Sequence, residues 1–130
     1  MIYVACAIIV NDTKVLVTQR SRNMNLPLKW EFPGGKVANT ESPQEAIKRE
    51  IFEELQVIVD VRSALTPNSH AYDHHALTLI PFRCSIIEGM PQPLEHSNIV
   101  WVNEQTVQAY QFAEADIPIL KEYLSIRAKE

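Results

Sequence analysis

Six consecutive residues hold the densest chemistry of the chain: Arg49-Glu50-Ile51-Phe52-Glu53-Glu54. On a helix of about 3.6 residues per turn, Glu50, Glu53 and Glu54 fall within an arc of roughly 100°. Ile47, Ile51 and Leu55 form the adjoining apolar stripe. One face therefore suits packing on a sheet, and the next carries three acids. A solvated acidic stripe would be the ordinary explanation, but two costs oppose it. The acids stand in the C-terminal half of the predicted helix, where the dipole disfavours negative charge by roughly a few tenths of a kcal/mol each. Like charges three and four positions apart also repel. A bound dication reverses both signs. Mg²⁺ prefers carboxylate and carbonyl oxygens and keeps several waters, so it can bridge such acids to phosphate oxygens.

These acids need a helix with a fixed start. Ser42-Pro43-Gln44-Glu45 supplies one: Ser42 is an N-cap, Pro43 fits the first helical position and Glu45 closes a capping box. The helix is predicted to run to about Leu55. The apolar run Tyr3 to Asn11 and the partly alternating run Lys14 to Arg20 flank Asn11-Asp12 and predict a β-hairpin. Ser21 to Lys29 reads as a loop. Trp30-Glu31-Phe32 reads as a short strand stopped by Pro33-Gly34-Gly35, where two glycines let the backbone turn sharply and approach a ligand. Val57 to Val61 and Leu77 to Ile87 read as strands, with Pro81 marking a bulge or an edge. Glu88 to Asn98 is a loop, Ile99 to Asn103 the last strand, and Ala115 or Asp116 to Lys129 a C-terminal helix. Strands and helices mix without strict alternation. The expected class is α/β in the broad sense (α+β), a mixed β-sheet sandwiched between helices in one domain over residues 1–130.

Composition narrows the partners. A chain of 130 residues buries roughly two-thirds of its unfolded surface, enough for a real core. It is 46% hydrophobic and 22% charged, which argues against disorder. The net charge of -4, without a basic tract, argues against a long nucleic acid. A small polyanion can still bind through an intervening cation. Cys6 and Cys84 lie in apolar runs with no metal or disulfide spacing, which predicts buried, reduced thiols and a cytoplasmic setting. The run Ile2 to Val10 is too short to cross a bilayer and lacks a basic start, so no membrane association is expected. A monomer or weak dimer is expected.

The spacing then meets a known pattern. Gly35, five residues, Glu41, seven residues, Arg49 to Glu54, then Val57 resembles the Nudix box, over residues 35–57. The resemblance implies the Nudix fold and a Mg²⁺-dependent hydrolase, with Mn²⁺ as a substitute. It implies Glu50, Glu53 and Glu54 as metal ligands, joined by the Gly34 carbonyl. Arg49 would hold the glutamates in position, and Glu41 would tie the loop to the helix. One departure stands out: Gln56 occupies the place of a family glycine that serves as a left-handed C-cap. Such a Gln either costs about 1 kcal/mol or shifts the helix end.

Outside the box, Trp30 to Lys36 resembles the MutT-type branch. There, Glu95, six residues before Trp101, is implied as a further metal ligand or general base. Arg20 matches a phosphate-contacting position, and Phe32 and Lys36 are substrate-binding candidates, although Phe32 also suits the core. The reaction implied is attack of water on the inner β-phosphorus of a small nucleoside triphosphate, releasing monophosphate and pyrophosphate. Phe112 to Asp116 resembles the stretch whose last residue reads the base. An ionised Asp116 only accepts hydrogen bonds, and it is equally a good N-cap for the last helix. The first substrate reading is 8-oxo-dGTP, in nucleotide-pool sanitation and DNA repair. The alternative is CTP or 5-methyl-dCTP, because relatives with Asp there prefer those. A non-catalytic nucleotide-binding domain is a third reading, which the full set of box acids opposes. His70, His74 and His75 read as a loop lining the nucleotide pocket, with no spacing that supports zinc.

Overall fold

The computed structural model describes residues 2–130, and Met1 lies outside that range. Strand β1 (Ile2–Asn11) runs through the middle of the sheet. Its side chains alternate between two apolar clusters, with Ala5, Ala7 and Ile9 on one face and Cys6 and Ile8 on the other. Both faces are covered, which is why the strand reads as a continuous apolar run. Helix α1 (Pro43–Leu55) packs Ala46, Ile47, Ile51 and Leu55 into the first cluster. Helix α2 (Ile117–Ala128) packs Ile119, Leu120 and Tyr123 into the second. The mixed sheet between helices is therefore as expected.

The edge of β1 nearest the acids is shared. β2 (Lys14–Gln19) pairs with β1 only at Val10↔Val15 and Asn11↔Lys14, around Asp12 at φ 57°. The predicted hairpin exists, but β2 then leaves β1. It pairs along its length with β8 (Asn98–Asn103) and at its end with β3 (Trp30–Glu31). The chain returns as β4 (Gly34–Lys36), which lies antiparallel on β1 with Cys6 opposite Gly34. Gly34 and Gly35 are thus in a strand and not in a sharp turn, and neither has positive φ. Their reason is space. A Cβ on Gly34 would stand 2.0 Å from the Ala5 carbonyl oxygen, and one on Gly35 would stand 2.2 Å from Cδ of Glu50.

On its other edge β1 runs parallel to β7 (His75–Glu88), from Ile2↔Leu77 to Ile9↔Cys84. β7 carries two antiparallel partners in succession, β6 (Asn68–Tyr72) and β5 (Ile58–Ala64). Pro81 falls where one partner gives way to the other. Its carbonyl faces that gap and accepts from Leu65 N–H at 3.0 Å. Within a strand residue the N–H and carbonyl face the same side, so the donor that proline lacks falls where no ladder requires it. The sequence reading of an edge at Pro81 is corrected, because β7 is internal. No bulge falls at Pro81 itself, which keeps its register with Cys6; the nearest register shift lies in the neighbouring β5, between Val61 and Ala64.

The ends of α1 explain its placement. Ser42 Oγ accepts from Glu45 N–H at 3.1 Å, and Glu45 accepts from Ser42 N–H at 2.8 Å. At the other end Gln56 adopts the left-handed conformation (φ 61°, ψ 35°) that the family glycine would take. Its side-chain Nε2 donates to the Phe52 carbonyl at 3.0 Å. The helix end therefore stays in place.

Candidate active site

Arg49 organises the outer face of α1. Its guanidinium donates to both Glu41 oxygens at 3.1 and 2.6 Å, to the Lys36 carbonyl at 3.1 Å, to Glu50 at 2.9 Å and to Glu53 at 3.4 Å. Glu41 also accepts from Ala38 N–H at 2.9 Å. The Arg49 hydrogen bonds, followed by that from Ala38, lower the Glu41 carboxyl to about 2. Glu50 is folded over Gly35, where a Cβ would push its carboxyl aside. Glu53 is the most open of the three helix acids, with its side chain 53% exposed.

Glu54 is turned the other way. The residue is 7% exposed and lines a cleft of about 250 Å³ together with Arg20, Glu31, Gly34, His96 and Asp116. Burial pushes its carboxyl up to about 9, and the charges of Glu50, Glu31 and Glu95 add to the shift. A hydrogen bond from Gly34 N–H works against it. Oε2 of Glu54 is buried with no hydrogen-bond partner. An isolated buried carboxylate is unfavourable, so the site holds either a proton or a cation there. Among the described residues no three His, Cys, Asp or Glu side chains close into a cage. Glu50 and Glu53 are held outward by Arg49 while Glu54 faces the cleft.

Asp116 does not cap α2 through its side chain. Its Oδ2 accepts from Phe32 N–H at 3.0 Å, across the cleft floor. Burial drives its carboxyl well above the ordinary range, and Glu31 adds to that. Asp116 does stand at the N-cap position of α2, but without the capping bond that the sequence reading expected; burial favours its neutral acid, which offers one donor and one acceptor.

The remaining candidates divide. Arg20 lines the cleft with Nη1 on Glu31 at 2.9 Å and Nε on the Asn25 carbonyl at 2.5 Å. Phe32 is 3% exposed and packs on Phe112 in the core, touching the cleft as well. Lys36 is at the cleft mouth, its carbonyl held by Arg49. Glu95 is exposed on the loop 89–97. That loop is stitched down by Gln92 N–H to the Leu55 carbonyl, Leu94 N–H to the Glu54 carbonyl and Ser97 N–H to the Gln19 carbonyl. His74 and His75 line an outer cavity of about 410 Å³ that shares Leu26, Tyr72 and Ala113 with the cleft. His70 is on β6 and not in a loop, and it meets Glu114 at 3.1 Å.

The family model described as NUDIX domain matches residues 4–122. The chain belongs to the Nudix family. The CTP pyrophosphohydrolase of Escherichia coli K12 is 34% identical over 128 residues, covering 98% of this chain and 95% of the relative. The 8-oxo-dGTP diphosphatase of Haemophilus influenzae is 28% identical over 126 residues, covering 96% and 93%. The solution structure of the E. coli ORF135 protein superposes with a TM-score of 0.87 at 32% identity, covering 100% of this chain and 93% of that one. This Nudix protein is accordingly a hydrolase of phosphoric anhydride bonds.

Two cleft residues, Glu31 and His96, were given no role by the sequence reading. Glu31 sits between two aromatic residues in what reads as a short strand, and its charge inside that apolar triplet was the available clue. Its carboxyl faces Arg20 and His96 and raises both Glu54 and Asp116. His96 is buried at 7% exposure inside a polar loop, and nothing local marks it.

Proposed function

We propose that this Nudix hydrolase converts nucleoside triphosphates to monophosphates and pyrophosphate with Mg²⁺, or Mn²⁺ in its place. The observation that carries the reading is Glu54: a buried carboxyl with a free oxygen, in the same cleft as a buried Asp116. An all-oxygen donor set fits a hard dication. Glu50, Glu53, Glu54, Glu95 and the Gly34 carbonyl would hold it. When bound, the ion supplies positive charge to the phosphate oxygens and makes a water acidic enough to attack. Arg49 orients Glu50 and Glu53. Arg20 and Lys36 offer their cationic heads to the phosphates at the cleft mouth. Glu95, on an exposed loop, takes the proton of the attacking water.

Asp116 would read the base. A neutral carboxylic acid matches an edge with an acceptor beside a donor. The O6 and N7–H of 8-oxoguanine form such an edge, and so do N3 and the N4 amine of cytosine. Unmodified guanine presents two acceptors at N7 and O6 and keeps the pattern only on its O6 and N1–H edge, so the choice against it requires that Asp116 meet the N7 edge. The first reading is therefore 8-oxo-dGTP. The second, CTP or 5-methyl-dCTP, is supported by the E. coli relative named for CTP, which matches over nearly its full length. Adenine shares the pattern on its N1 and N6 edge, so ATP belongs in the same screen. No helix of the described residues is long and apolar enough to cross a membrane. The two buried thiols, Cys6 and Cys84, support a cytoplasmic setting, with the protein acting as a monomer or weak dimer.

The test is pyrophosphate release with Mg²⁺ from 8-oxo-dGTP, dGTP, CTP, 5-methyl-dCTP, ATP and ADP-ribose. We expect 8-oxo-dGTP or a cytosine nucleotide to exceed dGTP in kcat/KM by about tenfold or more, the scale of one mismatched buried hydrogen bond. A preference for ADP-ribose, or no turnover of any nucleotide, would overturn the reading.

A further inference from the structure

We propose that His96 is a positioning residue: through Glu31 it pins the loop that carries Glu95, and so sets where Glu95 stands relative to the helix acids. The proposal rests on the hydrolase reading above. Segment 89–97 is exposed or half-exposed throughout, except at His96. That imidazole is only 2% exposed and has Nε2 at 3.4 Å from Oε2 of Glu31. The other oxygen of Glu31 holds Arg20 at 2.9 Å. One carboxylate on β3 thus joins the end of β2 to the loop. Residues 94 and 97 are fixed through their backbones, by Glu54 and by Gln19. Glu95 lies between Leu94 and His96, so its placement follows from theirs.

The polar cost of this arrangement argues against simple space-filling. A neutral imidazole has one N–H, and a carboxylate opposite Nε2 places it there as the donor. Nδ1 is then an acceptor, and it is buried without a partner. An aliphatic side chain would fill the volume without that penalty. What histidine adds is the bond to Glu31. Groups that orient a ligand-bearing element from behind typically change metal affinity or rate by about 10- to 100-fold when removed.

The experiment uses the full chain with His96→Leu, which keeps bulk and loses the donor, and His96→Gln, whose amide nitrogen reaches the position of Nε2. kcat and KM are measured on the best nucleotide substrate, Mn²⁺ affinity by titration without substrate, and stability by melting. We expect the leucine variant to lose about 10- to 100-fold in kcat with KM within about twofold. Its Mn²⁺ binding weakens while its melting temperature holds, and the glutamine variant recovers most of the loss. In a Glu95→Gln background, His96→Leu adds little further loss, because both act at one point. If the leucine variant fails to fold, His96→Asn, whose amide is too short to reach Glu31, takes its place with the same expected loss.

Equal impairment by leucine and glutamine would overturn the proposal. So would additive losses with Glu95→Gln, or a lower melting temperature with kcat and Mn²⁺ affinity unchanged. If the wild-type protein hydrolyses no nucleotide, the hydrolase reading fails by itself, and the Mn²⁺ titrations still decide whether His96 positions the site.

Discussion

The two sides of α1 treat the same residue type in opposite ways. On the outer side, Glu41, Glu50 and Glu53 share one guanidinium, and Glu41 is lowered to about 2. On the inner side, Glu54 has no cation and is raised to about 9. Sequence distance does not explain this, since Glu53 and Glu54 are neighbours. A step of about 100° around the helix separates a side chain in water from one in a closed cleft. The outer acids are already compensated and hold the loop 36–41 to the helix. The inner acid is left with an unsatisfied oxygen, which makes it the place where an added charge has most to gain.

Breaking the inner side should have the largest effect. Glu54→Gln is expected to lower kcat by about 10³-fold, the upper range for losing one preorganised charge. The same change should raise the melting temperature of the metal-free protein at pH 8, because an amide folds without taking up the proton that burial forces on Glu54 at that pH. Arg49→Ala should cost less activity, about 10- to 100-fold, and should lower the melting temperature. If Arg49→Ala were the more damaging to rate, the outer side of α1 and not Glu54 would carry the chemistry. Next comes Asp116→Ala, expected to lower kcat/KM for the preferred base by about 10- to 100-fold and to flatten the choice among bases. Asp116→Asn, which also presents a donor and an acceptor, should retain most of that choice.

The pH dependence of stability sharpens the same contrast. In the folded metal-free chain Glu54 keeps its proton up to about pH 9, while the unfolded chain loses it near 4.5. Stability should therefore fall as pH rises through that window. Glu41 acts oppositely: the stability it lends is present above 4.5 and is lost as pH falls towards 2. Urea denaturation at pH 6 and 8.5 checks this. We expect the protein to be weaker at 8.5 without metal, Mg²⁺ to restore it, and Glu54→Gln to flatten the alkaline fall. The smallest effect lies at the helix end. Gln56→Gly should stabilise by at most about 1 kcal/mol with activity unchanged, because relief of the left-handed conformation is partly offset by the lost bond to Phe52.

Legibility followed contact range. The outer side of α1 was readable because its rules are local: the capping box spans four residues and Arg49 lies within eight of Glu41. The inner cleft was legible only in part: Arg20, Phe32, Gly34, Lys36, Glu54 and Asp116 were candidates by resemblance, but their mutual contacts were not readable. Asp116 meets Phe32 across 84 positions and His96 meets Glu31 across 65, and no periodicity encodes such pairs. For that reason the sequence left Asp116 divided between base reader and helix cap, and gave Glu31 and His96 no role. β6 escaped because Asn68-Ser69-His70-Ala71-Tyr72 lacks an apolar alternation; β7 recruits it by pairing. Pro81 suggested an edge because the rule for proline in strands is local, whereas the gap that tolerates it is formed by two other strands.

The claim that Glu54 is held in reserve for a cation can be tested by following its own titration. Carboxyl carbons of ¹³C-labelled glutamates are recorded by NMR against pH, with and without Mg²⁺, in the wild type and in Glu54→Gln. The account predicts one glutamate that titrates near 9 in the metal-free protein, is absent from the variant, and becomes ionised across pH 6 to 8 when Mg²⁺ is added. Glutamates that all titrate below about 5 without metal, or a high titration that Mg²⁺ leaves unmoved, would contradict it.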